Sequence, residues 1–133
     1  MIIINALVNT LNRLGSIECA LGEVERAEES FRQSLGLIWR SVGKTFEAVA
    51  CLEGMARVAA MQGRPDRAAR LLGVSAALRE EMGTPLSPIV QGDHDFTTNS
   101  TREAIGERAF EATWTAGHAT PLDESIADAL DDF

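Results

Sequence analysis

The sequence of 133 residues has no tyrosine, only two cysteines and four prolines, and 5% aromatic residues. No apolar run approaches the ~20 residues that cross a bilayer, and no basic region precedes the apolar start, as it would in a signal peptide. Cys19 and Cys51 are 32 residues apart and form no CxxC pair, which is typical of a reducing compartment. These absences predict a cytoplasmic protein that neither spans nor binds a membrane.

Basic residues are scarce in the last third of the chain. Residues 84–133 contain two arginines and ten acidic residues, whereas residues 1–83 contain ten basic and ten acidic residues. The formal net charge of -8 therefore arises in the last third. Direct binding of nucleic acid is not expected, because phosphate contacts need a basic face. The length allows one core, which predicts a single domain.

Apolar residues recur at helical spacing from the start. The first helix shows the set Leu7, Leu11, Leu14, Ile17 and Leu21, and Gly22 ends it. The second helix shows the set Val24, Ala27, Phe31, Leu35, Ile38 and Val42, and Gly43 ends it. Steps of three and four are those of one helical face, and glycine favours a helix end. The pattern predicts a helical hairpin.

The next forty residues repeat this design. A third helix ends at Gly63, and a fourth begins near Pro65 and ends at Gly83, since proline suits the first turn. Gly22 matches Gly63 and Ala27 matches Ala68 at a period of 41 residues. The chain therefore contains two copies of one helical unit.

The stretch "LNRLGSIECALGEVERAEESFRQSL" resembles a tetratricopeptide repeat. The matching positions are Leu14-Gly15, Gly22 at the turn, small Ala27 and Ser34, and bulky Phe31. A period of 41 against about 34 in that family implies longer helices, as in maltose-regulator-like and LuxR-type regulators. "CLEGMARVAAMQGRPDRAARLLGVSAALREEMGTPLSP" resembles the C-terminal tail of large bacterial regulators that also carry an NTPase and a DNA-binding module.

The resemblance implies an all-α fold, with antiparallel hairpins stacked as a short superhelix and a C-terminal helical cap. We expect hairpins at about 1–43 and 44–83, and an irregular linker and acidic cap of the same domain at 84–133. "TPLSPIVQGDHDFTTNS" has two prolines, a glycine and poor helix formers, which predict an irregular or broken helix, although the resembled family tends to carry a helix here. Ser100 and Glu103 form a capping-box pattern before the next helix, and Pro121 marks the start of a last short one.

No set of residues in the sequence indicates catalysis. Gly43-Lys44-Thr45 ends like a phosphate-binding loop, but Ile38 stands where that motif needs glycine. Asp93-His94-Asp95 has too few further donors for a metal site, which favours a solvated loop. We therefore expect no catalytic residue, no cofactor and no metal.

The resemblance also implies a concave groove lined by the first helix of each hairpin. The positions that map to it are Asn9, Asn12, Ser16, Cys19, Ala50, Glu53, Arg57 and Ala60. Asparagine side chains there can hold the backbone of an extended peptide, and Arg57 can meet a carboxylate. The alternative is that Glu53 and Arg57 are a surface pair on one helix face and the asparagines are merely solvated.

The first helix is unusually apolar where it begins. Its apolar residues there are Ile2, Ile3, Ile4, Leu7 and Val8. Two repeats are fewer than the roughly three that such arrays need, so this face is expected to be covered. It predicts packing on a preceding repeat in a longer protein, and self-association as a homodimer in this chain alone.

Two function classes remain open. The first is a non-catalytic protein-interaction module, as the tail of a bacterial transcriptional regulator or an adaptor for one. The second is an effector domain of a signalling regulator, in which the groove and cap enclose a small molecule. An apolar pocket beneath the cap would favour the second, whereas an enzyme would need titratable groups that converge in a cleft.

Overall fold

The computed structural model describes residues 2–42, 46–86 and 88–131. In these residues all regular structure is helical, as the sequence predicted. The α-helices are α1 (Ile2–Ala20), α2 (Val24–Leu37), α3 (Phe46–Met61), α4 (Pro65–Met82), α5 (Pro88–Ile105), α6 (Glu107–Ala119) and α7 (Leu122–Asp131). A π-helical turn, Ile38–Val42, extends α2. The predicted boundary at residues 43 and 44, with the Gly43-Lys44-Thr45 motif, lies outside the described residues.

The turns of the two hairpins have the same backbone geometry. Gly22 and Gly63 have φ angles of 77° and 72°, in the left-handed region that favours glycine. The amide of Glu23 donates to the carbonyl of Glu18 at 2.8 Å, and Arg64 repeats this bond to Ala59 at 2.8 Å. The period of 41 residues in the sequence is therefore also a period in the backbone.

The core of the repeats is organised around one aromatic ring. Phe31, 1% exposed, lies between Gly15 of α1 and Gly54 of α3. A β-carbon at Gly15 would come within 2.6 Å of the ring, and one at Gly54 would also overlap it. The small residues predicted at the helix crossing, Ala27 and Ala68, are fully buried. Small residues thus let three helices close around the phenyl group.

The segment expected to be irregular is helical. α5 is continuous from Pro88 to Ile105, so the prediction from composition was wrong. Thr97 and Thr101 are 4% and 1% exposed, and the Thr101 hydroxyl donates to the Thr97 carbonyl at 2.7 Å. Tertiary burial therefore outweighs the poor helix propensity of this segment, and internal bonding satisfies the buried hydroxyl.

The capping-box prediction at Ser100 and Glu103 was also wrong, because both residues lie inside α5. The chain breaks instead at Gly106, which has a φ of 87° and precedes α6. The last short helix is confirmed as α7.

The C-terminal helices cover two different sides of the repeats. α5 lies beside α3 and α4, and α6 packs most extensively on α4. The closest approach is between Gly73 of α4 and Gly117 of α6, where an added β-carbon would overlap the backbone of the opposite helix. α7 packs beside α2 and α4, with Ile126 and Ala129 buried. One face of the hairpins thus remains open as a groove bordered by α5.

Candidate functional site

A groove of about 670 Å³ lies between α1, α3 and α5, with residues 84–86 above it. Its walls come from helices that follow one another in the array, because α1 and α3 are the first helices of the two hairpins. The apolar part is formed by Phe46, Val49, Leu72, Pro85 and Leu86. Charged side chains border these residues, so the groove combines an apolar surface with fixed polar groups, as ligand sites commonly do.

Three half-buried side chains, an ion pair and a histidine, form a polar cluster in the groove. Glu53 of α3 pairs with Arg79 of α4, and the His94 Nδ1 atom of α5 lies 3.6 Å from the Glu53 Oε2 atom. Their side chains are 17%, 15% and 20% exposed. The cluster links three helices, and removal of one partner would leave a charge with little solvent around it.

Burial lowers the pKa of His94 below its ordinary value, and the positive charge of Arg79 lowers it further, whereas Asp95 opposes the shift. Burial also lowers the pKa of Arg79. The Glu53 carboxylate would favour a protonated imidazole, but it already pairs with Arg79. His94 is therefore neutral at pH 7 in the folded protein.

This shift predicts a pH dependence of stability. The unfolded chain protonates His94 near pH ~6.5, while the folded chain resists protonation, so the unfolded state binds more protons below that pH. The free energy of unfolding is not reduced by His94 above pH ~6.5. As the pH is lowered below that value, it decreases by at most about 1.4 kcal/mol per pH unit. Urea unfolding at a series of pH values measures this. The His94→Gln variant serves as the control, and equal pH slopes in both proteins would contradict the assignment.

Arg57 and Asp93 form a looser pair toward the solvent. Their charged atoms are 3.7 Å apart, and the side chains are 26% and 68% exposed. An exposed pair of this kind contributes little to stability. The Arg57 guanidinium can therefore exchange Asp93 for a carboxylate on a ligand without a large loss. Ser16 and Arg13 of α1 line the opposite wall and are exposed.

Four of the predicted groove residues come together in this site. Ser16, Ala50, Glu53 and Arg57 all line the groove. Glu53 pairs with Arg79, and Arg57 pairs with Asp93. Glu53 of α3 and Asp93 of α5 thus each meet an arginine of another helix, which differs from the simple surface pair considered above. Ligand binding by these residues stays a prediction.

Asn12 is a correction to the predicted set. It is 5% exposed, and its amide group donates to the backbone carbonyl of Glu47 at 3.0 Å and accepts the Ser34 hydroxyl at 2.7 Å. This side chain joins α1, α2 and α3 internally, because a buried amide must be bonded. Asn9 also donates to the Glu47 side chain, at 2.9 Å, and borders a shallower neighbouring depression.

Cys19 is a second correction. Its side chain belongs to the core at 4% exposure, and burial raises the pKa of the thiol, although the charge of Arg57 opposes this. Cys51 is fully buried, and burial raises its pKa to about 12. Both thiols are therefore protonated at neutral pH and poorly reactive.

Sequence reasoning missed the residues that border the groove from α4 and α5. Arg79, His94 and Thr97 line it, as do residues 84–86. The histidine was assigned to a solvated loop because the segment was expected to be irregular. The one signal that pointed to these residues was the resemblance, since the family tends to have a helix in this segment.

The apolar start of α1 has two sides. Val8 is fully buried in the core, so its assignment to a self-association surface was wrong. Ile4 is half-buried and packs against the core. Ile3 and Leu7 are 81% and 46% exposed, whereas the side chain of Ile2 lies outside the description. The predicted surface is therefore narrower at this end than the sequence suggested.

The family model for the tetratricopeptide repeat matches residues 7–81, more than half of the chain. The chain belongs to the tetratricopeptide repeat family, which confirms the resemblance seen in the sequence. Repeats of this family generally mediate protein–protein interactions.

Relatives come from mycobacteria. The chain is 33% identical over 116 residues to "Putative HTH-type transcriptional regulator Rv0890c" of Mycobacterium tuberculosis (strain ATCC 25618 / H37Rv) and to "Putative HTH-type transcriptional regulator Mb0914c" of Mycobacterium bovis (strain ATCC BAA-935 / AF2122/97). The matched region is 84% of this chain and 12% of each relative. The chain thus spans about an eighth of the length of these relatives. No solved structure matches the chain significantly.

Among residues 2–42, 46–86 and 88–131, no three His, Cys, Asp or Glu side chains are placed to share a metal ion. Within the same residues, no helix has both the length and the apolar character of a membrane span.

Proposed function

We propose that this chain is a non-catalytic regulatory module that binds an extended segment of another protein in the groove between α1, α3 and α5. The observation that carries the proposal is the groove itself. It lies on the first helices of consecutive hairpins, and its charged groups border an apolar surface. An extended peptide can place side chains on Phe46 and Leu86, which line the groove and are accessible, while its own carboxylates meet Arg57 and Arg13.

The regulatory part of the proposal is supported by the mycobacterial relatives, which are named as HTH-type transcriptional regulators. We infer that the module acts in the cytoplasm, as the tail of such a regulator or as an adaptor for one. The acidic last third disfavours direct contact with DNA. The module would therefore bind a protein partner, while another part of the assembly recognises the DNA.

Selection from a displayed peptide library, followed by fluorescence anisotropy on the enriched peptides, tests the proposal. Ala50 is exposed and lines the groove, so Ala50→Trp should fill it and weaken binding at least about tenfold, which corresponds to roughly 1.4 kcal/mol. Gln33→Trp adds the same side chain at an exposed position of α2 that does not line the groove, and should bind like the unmodified protein.

The proposal fails if no peptide is enriched, or if Ala50→Trp and the unmodified protein bind the enriched peptides equally. Equal weakening by Gln33→Trp would also argue against the groove, because that substitution lies elsewhere.

A small-molecule effector site is the second candidate. Leu72, Pro85 and Leu86 give the groove an apolar part beside α5, and 670 Å³ is within the roughly 300–1,000 Å³ of small-molecule sites. A thermal-shift screen of metabolites separates the two candidates. Stabilisation by a metabolite that Ala50→Trp abolishes, without any enriched peptide, would favour the effector site.

A further inference from the structure

A stripe of exposed apolar side chains runs along α1 on a different face from the groove. Its members and their exposed fractions are Ile3 81%, Leu7 46%, Leu14 44%, Ile17 57% and, just past the helix end, Leu21 69%. With Thr10 they follow steps of four, three, four, three and four residues. This is the spacing of a seam that packs on another helix.

In the second repeat, the face of α3 that is equivalent to this stripe is buried. Leu7, Leu14 and Ile17 correspond, 41 residues later, to Ala48, Met55 and Val58 of α3. Those three residues are all fully buried, in the helix that packs on the first hairpin. The equivalent face of α1 has no helix packed on it in the described part of the chain. The stripe therefore occupies positions that the fold normally covers.

We propose that this face is covered by the same face of a second copy, with the two α1 helices antiparallel about a twofold axis. The spacing reads the same in both directions. When Leu7 faces Ile17 of the second copy, Ile3 faces Leu21 and Thr10 faces Leu14, so each apolar residue meets another side chain of the seam. Over the 18 steps from Ile3 to Leu21 the contact is about 27 Å long.

The charge distribution favours this pairing. Two chains of net charge -8 repel one another, but the acidic excess lies in residues 84–133, whose described helices make no extensive contact with α1. The one acidic residue of α1, Glu18, is 8% exposed and accepts the Ser30 hydroxyl at 2.6 Å. The face is thus free of exposed negative charge, and its flanking basic residue, Arg13, lines the groove.

The polar member of the seam does not oppose burial. The Thr10 hydroxyl donates to the Ala6 carbonyl at 2.9 Å, so its hydrogen bond is already made within α1. Ala6 and Ala20 border the stripe and are small and exposed. Small flanking residues let two helices approach closely.

Sedimentation equilibrium over a concentration series tests the pairing. The unmodified chain should be a dimer, and Leu14→Glu should weaken association at least roughly 100-fold, since a buried unpaired charge is strongly unfavourable. Leu14 is 44% exposed, and circular dichroism would show that the variant stays folded. Phe96→Glu is the matched control, because Phe96 of α5 is 75% exposed and lies outside the stripe; it should dimerise like the unmodified chain.

Cysteine crosslinking tests the antiparallel register. A mixture of Thr10→Cys and Leu14→Cys proteins should form a disulfide-linked pair in higher yield than either protein alone, because these positions face each other only between the two. Several results would overturn the proposal. A monomeric unmodified chain would overturn it and would point to a preceding helical hairpin as the occupant. Equal effects of Leu14→Glu and Phe96→Glu on association would also overturn it. So would a crosslinking yield in the mixture no higher than that of either variant alone.

Discussion

Replacement of Phe31 by alanine is expected to lower the free energy of unfolding by about 3–5 kcal/mol, the usual range for a buried phenylalanine. The ring is 1% exposed and fills the space between Gly15 of α1 and Gly54 of α3. Neither glycine has a side chain that can move into the cavity. The first hairpin would therefore lose its main contact with α3, in addition to the apolar surface of the ring.

Urea unfolding followed by far-ultraviolet circular dichroism measures this loss. Phe96→Ala removes the same ring from a position that is 75% exposed, and should change stability by less than about 0.5 kcal/mol. A loss below about 1 kcal/mol for Phe31→Ala would mean that the space closes by rearrangement, which is inconsistent with a ring held between two glycines.

The same site offers a double-mutant cycle. Gly15→Ala alone should be destabilising by about 1–3 kcal/mol, because its β-carbon would overlap the Phe31 ring. In a Phe31→Leu background the same substitution should cost less, since the shorter side chain frees that space. Additive losses would show that Gly15 is required for a reason other than the ring.

Gly117→Ala is expected to be destabilising by about 3 kcal/mol even though alanine is the better helix former by about 1 kcal/mol. The added β-carbon would overlap the backbone carbonyl of Arg70 in α4, and Gly73 is placed reciprocally against the backbone at Trp114. Backbone atoms cannot rotate away as a side chain can. The helices α4 and α6 must separate, which exposes the side of α4 that α6 covers.

Gly92→Ala is the matched control for this prediction. Gly92 lies inside α5 with open space around its missing β-carbon, so alanine should stabilise the protein by roughly 0.5–1 kcal/mol through reduced backbone freedom. Urea unfolding, followed by the fluorescence of Trp114, measures both changes. A lower free energy of unfolding for Gly117→Ala and a higher one for Gly92→Ala would support the close crossing of α4 and α6. A neutral or stabilising Gly117→Ala would contradict it, because the two backbones would then have room to spare.

Much of the fold could be predicted from the sequence because its signals are local. Gly22, Gly63 and Gly83 end helices in the left-handed conformation that few other residues adopt. The small and bulky positions Ala27 and Phe31 were assigned correctly, since their roles follow from a spacing that the family shares. Ser16, Glu53 and Arg57 were placed on the groove for the same reason.

The helix α5 could not be predicted by such local signals. Its threonines and glycine indicate a loop, and it became helical because Thr97 and Thr101 are buried against other helices. Because His94 lies on this helix, its place in the groove could not be predicted either. Glu53, Arg79 and His94 lie on three consecutive helices, separated by several helical turns and two loops, so no local spacing of residues could reveal that they meet.

The first helix shows both sides of this division. Its periodicity alone determined that it is a helix with an apolar stripe, because helical spacing depends only on the order of residues along the chain. Which side is buried was decided by the tertiary structure. Val8, Asn12 and Gly15 are buried, with Gly15 against Phe31 and Asn12 bonded to Ser34, whereas Leu7, Leu14 and Ile17 stay exposed. Shape complementarity between helices, which the sequence of one helix does not specify, determines which residues of α1 are buried.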